Sequence, residues 1–282
     1  IIGIGIISMF VRGFSTGVDF KGGRSYVVRF NESVVASDIR EKLAKPFESA
    51  PEVKTFGDNN QVKITTSYMI ADNSTSADAT VEKTLVDALS IQPSQIMSSQ
   101  KVGPTIADDI KTSSVYALLA SMLVIFLYVV MRFRKWSFGI GALVALAHDA
   151  MFILALFSLL WGYLPFSLEI DQAFIAAILT VMGYSINDTV VVFDRVREYL
   201  GMHTKTDLKT VINDALNSTL SRTINTSLTI FFVLLAIFLF GGEVIRGFTF
   251  AMLIGIIVGT YSSLCIATPI VIDMTKEKAD KK

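Results

Sequence analysis

"AFIAAILTVMGYSINDTVVVFDRVREYL", residues 173–200, decides how this chain must be read. Its apolar opening and the stretch that follows are together long enough to cross a bilayer as one helix, which needs about 20 residues. Yet Asn187 and Asp188 lie inside it. An ionised carboxylate facing lipid costs about 3 kcal/mol or more, so intramembrane acids face a bundle interior or a wet cavity and mark transport pathways. What Asp188 does therefore depends on the other groups at its depth.

The surrounding composition belongs to a membrane protein. Of the 282 residues, 52% are hydrophobic, and the mean hydropathy is +0.55. The formal net charge is zero, which removes bulk basicity as an argument for nucleic-acid binding. The single cysteine, Cys265, lies in an apolar stretch, so neither a disulfide framework nor a cysteine zinc site is available. No metal or cofactor is expected.

With that stretch, four spans satisfy the length rule: 114–131, 138–161, 173–193 and 248–272. The apolar run 228–240 is too short alone, so that span must begin near Ser221 and draw Arg222, Asn225 and Thr226 into the membrane. Residues 1–12, opening "IIGIGIISMF", read as the end of a truncated first helix, because the run is half a span and lacks the basic leader of a signal peptide. The expected fold is thus a membrane α-helical bundle of six transmembrane helices, five of them in 113–272.

Loop charges orient the bundle. Arg132, Arg134 and Lys135, then Arg195, Arg197, Lys205 and Lys209 in a loop at 194–220, then the tail 273–282 all fall on one side. The alternate loops hold only Arg246, so the positive-inside rule makes the first set cytoplasmic and residues 13–112 extracytoplasmic. That segment reads strand at 24–30, helix at 34–49, strands at 52–56 and 61–67 around the turn "GDNN", helix at 77–90 and strand at 94–102. The order β-α-β-β-α-β is the ferredoxin-like split βαβ pattern, a small α+β domain that decides no function. Leu208, Val211, Ile212, Ala215, Leu216 and Leu220 share one helical face, which suits either a helix on the membrane surface or packing beneath the bundle.

Two polar stripes mark the candidate site. Tyr184, Asn187, Asp188 and Val191 share a face of the fourth span, and Arg222, Asn225, Thr226 and Thr229 share one on the fifth. The stripes are expected to face each other or a shared wet cavity. Either Asp188 and Arg222 form a static ion pair that fixes packing, or Arg222 tunes a proton site at Asp188. His148 and Asp149 add a second polar point in the third span; a lone histidine there is more often a satisfied packing residue than a relay member, and both are candidate supporting polar groups of the site, with Tyr184, Asn187, Asn225 and Thr226. Asp149 and Asp188 also raise an aspartyl protease dyad, but no glycine-flanked aspartate motif surrounds them, and no enzyme activity is expected. Gly255 and Gly259, with Ser262 and Ser263, predict close packing of the last helix.

At these residues the chain resembles one family. "GVDFKGG", "VGP", the "HD" of the third span, "GYSINDTVVVFDRVRE", "NSTLSRTINTS" and "GFTFAMLIGIIVGTYSS" are similar, in that order, to the motifs of SecF, part of the SecDF protein-export complex and related to the RND superfamily. After "VGP" this chain reads "TIADD" where the family usually has a glycine and a glutamate. The resemblance covers about residues 12–272. It implies a bacterial inner-membrane protein that pairs with a SecD-like half and uses the proton gradient to assist preprotein passage through the SecYEG translocon, with YajC and YidC as further partners. It also implies that Asp188 and Arg222 belong to the proton pathway. An RND-type proton-coupled exporter of small molecules or lipids is the rival reading, although such exporters carry larger extracytoplasmic domains than the stretch 13–112 allows.

Overall fold

The computed structural model describes residues 1–72, 74–203 and 206–279. Lys205 and the last three residues of the basic tail therefore lie outside the described residues. A short helix α1 (Ile2–Val11) and a single turn α2 (Val18–Lys21) lead into β1 (Gly23–Arg29), α3 (Ala36–Ala44), β2 (Glu52–Phe56), β3 (Asp58–Thr66), α4 (Thr75–Leu89) and β4 (Ile96–Val102). Five long apolar segments follow: α5 (Pro104–Phe133), α6 (Trp136–Leu160), α7 (Gln172–Met202), α8 (Leu208–Phe240) and α9 (Glu243–Ser262), the last running through a π segment at 263–267 into α10 (Thr268–Ala279).

The four strands order as β2-β3-β1-β4, every neighbouring pair antiparallel, which is the split βαβ arrangement expected from the sequence. Alternation along the strands divides the two faces. Tyr26, Val28, Val62 and Ile64 point to one side and bury against Ile39, Leu43, Val81 and Leu85 of α3 and α4. Ser25, Val27 and Lys63 point to the other side, toward the bundle. The hairpin is tighter than the "GDNN" reading implied, for residues 58–60 already belong to β3, Asp58 sits opposite Phe56, and only Gly57 separates the strands.

In the bundle, α7 and α9 pack most closely. An added Cβ at Gly255 would collide with the Val181 side chain, and one at Gly259 would lie 3.0 Å from Ser185 Cβ. The expected small-residue packing is thus found, and its partner is α7. The short α1 lies along α6, where the Ser8 hydroxyl donates to the Ser158 carbonyl at 3.0 Å and Gly5 abuts Ala155. The π segment was not legible in the sequence. It shifts the ladder by one residue, and the Thr268 hydroxyl reaches the Ser263 carbonyl at 3.1 Å.

One element differs from expectation in kind. The segment 194–220 is no loop, because residues 194–202 continue α7 and residues 208–220 begin α8. A 33-residue helix is about 50 Å long, well beyond a hydrocarbon core of about 30 Å. Its Ser and Thr residues do not break it, since Ser218, Thr226 and Thr229 turn their hydroxyls back onto carbonyls three or four residues earlier. Of the apolar face read at 208–220, Ile212 and Ala215 are buried against Val192 and Val196 of α7, with Leu208 and Leu216 packed beside them, so it packs under the bundle and does not form a separate surface helix.

Candidate functional site

Two carboxyls are buried at membrane depth, and they are held differently. Asp149 of α6 is fully buried. Its Oδ2 accepts from Ser185 Oγ of α7 at 2.7 Å and from Ser262 Oγ of α9 at 2.8 Å, and its Oδ1 lies 3.1 Å from His148 Nδ1. Next to it the Thr189 and Ser263 hydroxyls meet at 2.7 Å. Three helices are thus joined at one carboxylate by short hydrogen bonds. His148 reaches the bundle surface, close to Phe152 and Tyr261.

Asp188 of α7 is 4% exposed, but its single donor among the described residues is Ser227 Oγ of α8, at a long 3.3 Å. That hydroxyl is also 2.6 Å from Thr260 Oγ1 and 2.9 Å from the Thr223 carbonyl, and it accepts from Tyr184 OH at 3.3 Å. A serine has one proton to give, so it cannot serve all of these acceptors. An ionised Asp188 is therefore poorly satisfied, whereas a protonated one can donate to Ser227.

Arg222 departs from the expected arrangement. It makes no ion pair with Asp188 among the described residues, and with Asn225, Thr226 and Thr229 it faces the outside of the bundle. Asn187 is likewise exposed on α7. The stripe on α8 and the carboxyl on α7 are close enough to interact electrostatically, yet they do not face each other, because Ser227 and Thr223 occupy the side of α8 turned toward α7. The static Asp188–Arg222 pair is absent. Sequence reading missed Ser227, Thr260 and Ser185; the signal that could have found Ser185 and Ser227 is the hydroxyl rows Ser185–Thr189 and Thr223–Ser227, each spaced i, i+4.

The sheet domain meets the bundle through the segment before α7. Glu169, whose side chain is 8% exposed, receives Lys63 Nζ at 2.5 Å and Lys54 Nζ at 3.4 Å. Burial works to raise this carboxyl's pKa, but the two lysines outweigh it and hold the value below the usual range. Asp19 of α2 accepts from Gln100 of β4 at 2.8 Å and from the Gln172 amide, the first residue of α7, at 3.0 Å. The chain reverses after α2 through Gly22 and Gly23, both at positive φ (71° and 134°). At Gly23 a Cβ would lie 3.0 Å from the Thr66 carbonyl oxygen, so only glycine fits.

Fold and site together define a multi-pass α-helical membrane protein with buried carboxyls in its bundle and a split βαβ domain above it. Residues 81–277 match the family of SecD/SecF protein export membrane proteins, C-terminal part, and residues 7–34 match the SecD/SecF GG motif. The protein translocase subunit SecF of Rhodothermus marinus is 43% identical over 285 residues, covering 99% of this chain and 89% of its own. That of Haemophilus influenzae is 39% identical, covering 95% and 80%. The crystal structure of SecDF from Thermus thermophilus superposes with a TM-score of 0.84 at 32% identity, over 98% of this chain and 36% of that one. SecDF in a super-membrane-facing form gives 0.68 at 30% identity, over 99% and 37%. This chain therefore spans most of the SecF relatives and about a third of SecDF. It belongs to the SecF family of protein translocase subunits.

Proposed function

We propose that this SecF-family chain uses the proton gradient to assist preprotein translocation through SecYEG, with Asp188 as the group that gains and loses a proton. The observation that carries the reading is the under-satisfied carboxyl of Asp188, with one long donor bond, beside the polar stripe Arg222, Asn225 and Thr226 on the outer face of α8. Lipid does not accept such a stripe, so a second helical half covers it. The similarity to SecDF, of which this chain spans about a third, supports a SecD-like half as that cover. Its arrival takes Arg222 out of water and strengthens the charge interaction between Arg222 and Asp188.

The chain works in the bacterial inner membrane with residues 13–112 extracytoplasmic. Arg132, Arg134, Lys135, Arg195, Arg197 and Lys209 at the end of the bundle away from the sheet domain support that orientation. SecYEG, the preprotein, YajC and YidC are its partners in this reading. Asp149, with both oxygens bonded, has a structural role and holds α6, α7 and α9 together. The test is gradient-dependent preprotein export into inverted vesicles at matched protein level. Asp188→Asn is expected to reduce the gradient-dependent part at least tenfold; export at the parent rate would refute the proton-site role.

A further inference from the structure

The surface between the sheet domain and the bundle is mixed, with Val27, Phe56, Val244 and Phe248 lining it beside polar groups. The open face of the sheet presents Ser25, Lys63, Ser98 and Gln100 to Glu169 and Asp171, around a cavity of about 130 Å³. Beside the apolar contacts there and at Val18, Val102 and Ala107, directed bonds fix the alignment of the two parts, and they converge on the few residues before α7. Gly17 donates its amide to the Ile170 carbonyl at 2.9 Å, and Ile170 donates back to Ser15 at 2.8 Å, an isolated parallel bridge. Lys54 spans Ser15 Oγ at 2.8 Å and Glu169. Lys63 holds the other oxygen of Glu169, and Asp19 ties β4 to the first turn of α7.

The same helix carries Asp188. From Gln172 to Asp188 α7 is unbroken, a rise of about 24 Å. A tilt or axial shift of α7 at Asp188 therefore appears at Glu169 and Asp19 without an intervening hinge. We infer that the Glu169 clamp is the joint that carries the position of α7 to the sheet domain, making Glu169, Lys63 and Asp19 positioning residues for the export reaction. The inference rests on the proton-site reading of Asp188 for its source of movement.

Glu169 acts as a fixed tie. The charged groups around it are Lys54 of β2, Lys63 of β3, Asp19 of α2, Asp171 at the start of α7 and Glu243 of α9. The two lysines lie closest and keep Glu169 ionised at neutral pH, so the tie does not open and close with each proton.

The experiment uses the full chain with its SecD-like half in vesicles, spin-labelled at Lys83→Cys in α4 and Thr180→Cys in α7. The parent is expected to give one narrow distance distribution. Glu169→Gln is expected to broaden it at least twofold and to cut gradient-dependent export about tenfold, while gradient-driven proton uptake stays within twofold. The charge exchange Glu169→Lys with Lys63→Glu rebuilds the pair, Lys54 keeping Glu52 at 2.7 Å, and is expected to restore both the narrow distribution and export. The inference is overturned if Glu169→Gln leaves width and export unchanged, or if the exchange restores neither. Failure of the proton-site reading shows separately, as normal export by Asp188→Asn.

Discussion

Ser227 Oγ lies 3.3 Å from Asp188 Oδ2 and 2.6 Å from Thr260 Oγ1, so the hydroxyl that joins α8 to α9 is also the only donor offered to the buried carboxyl among the described residues. Competition for one proton leaves an ionised Asp188 weakly held.

Asp188 and Asp149 should therefore answer the same substitution differently. Asp188→Asn leaves the thermal midpoint of the purified complex near the parent value and removes gradient-dependent export. Asp149→Asn replaces an acceptor of two short hydroxyl bonds and lowers stability by about 1–2 kcal/mol, the upper range for side-chain bonds inside membranes. Melting curves and export rates on matched samples check both, and the opposite assignment of the two effects would exchange the roles.

Because no Asp188–Arg222 ion pair braces the helices, removing both charges should bring no recovery. The double variant Asp188→Asn with Arg222→Met is expected to export no better than Asp188→Asn alone. Recovery above half of the parent rate would show a pair formed when the second half is present.

Gly259 faces Ser185 with no room for a side chain. Gly259→Leu is expected to cost about 1–3 kcal/mol through overpacking and to displace Ser185 from Asp149. The readout is the melting midpoint in detergent, with Gly183→Ala, on an open side of α7, as the control that should not move it.

The orientation is checked by cysteines at Asn59, Tyr163 and Lys209, all exposed. The first two should react with an impermeant thiol reagent in intact cells, and the third only after permeabilisation. Glu169 is unsuited to this labelling because its side chain is buried under two lysines.

The pH response of the clamp has a definite sign. Glu169 titrates below its ordinary range in the folded protein, so the stabilisation it gives is complete above about pH 4.3, the free glutamate value, and is lost as pH falls through the lowered folded value. Spin-label distances between the sheet domain and α7 should hold constant from pH 8 to 5 and broaden only in stronger acid. Glu169→Gln, broad throughout, should show no such transition.

Span positions, the split βαβ order and the identity of the two intramembrane acids were determined by the sequence alone, since each rests on local quantities: length of apolar runs, periods of 2 and 3.6, and the cost of charge in lipid. Even the packing of Gly255 and Gly259 was legible, because small residues four apart leave few other readings. Which groups each acid meets was decided only by the tertiary structure. Helical period places Arg222 and Asp188 on defined faces of their own helices, but the rotation of α8 against α7 depends on packing along both, and it turns Ser227 inward and Arg222 outward. The split between a well-bonded Asp149 and a weakly bonded Asp188 follows from where hydroxyls on α7, α8 and α9 are turned, which helical period alone does not give. Glu169 was hidden for the same reason: an acid in a loop becomes a joint only when two strands more than a hundred residues earlier bring Lys54 and Lys63 onto it.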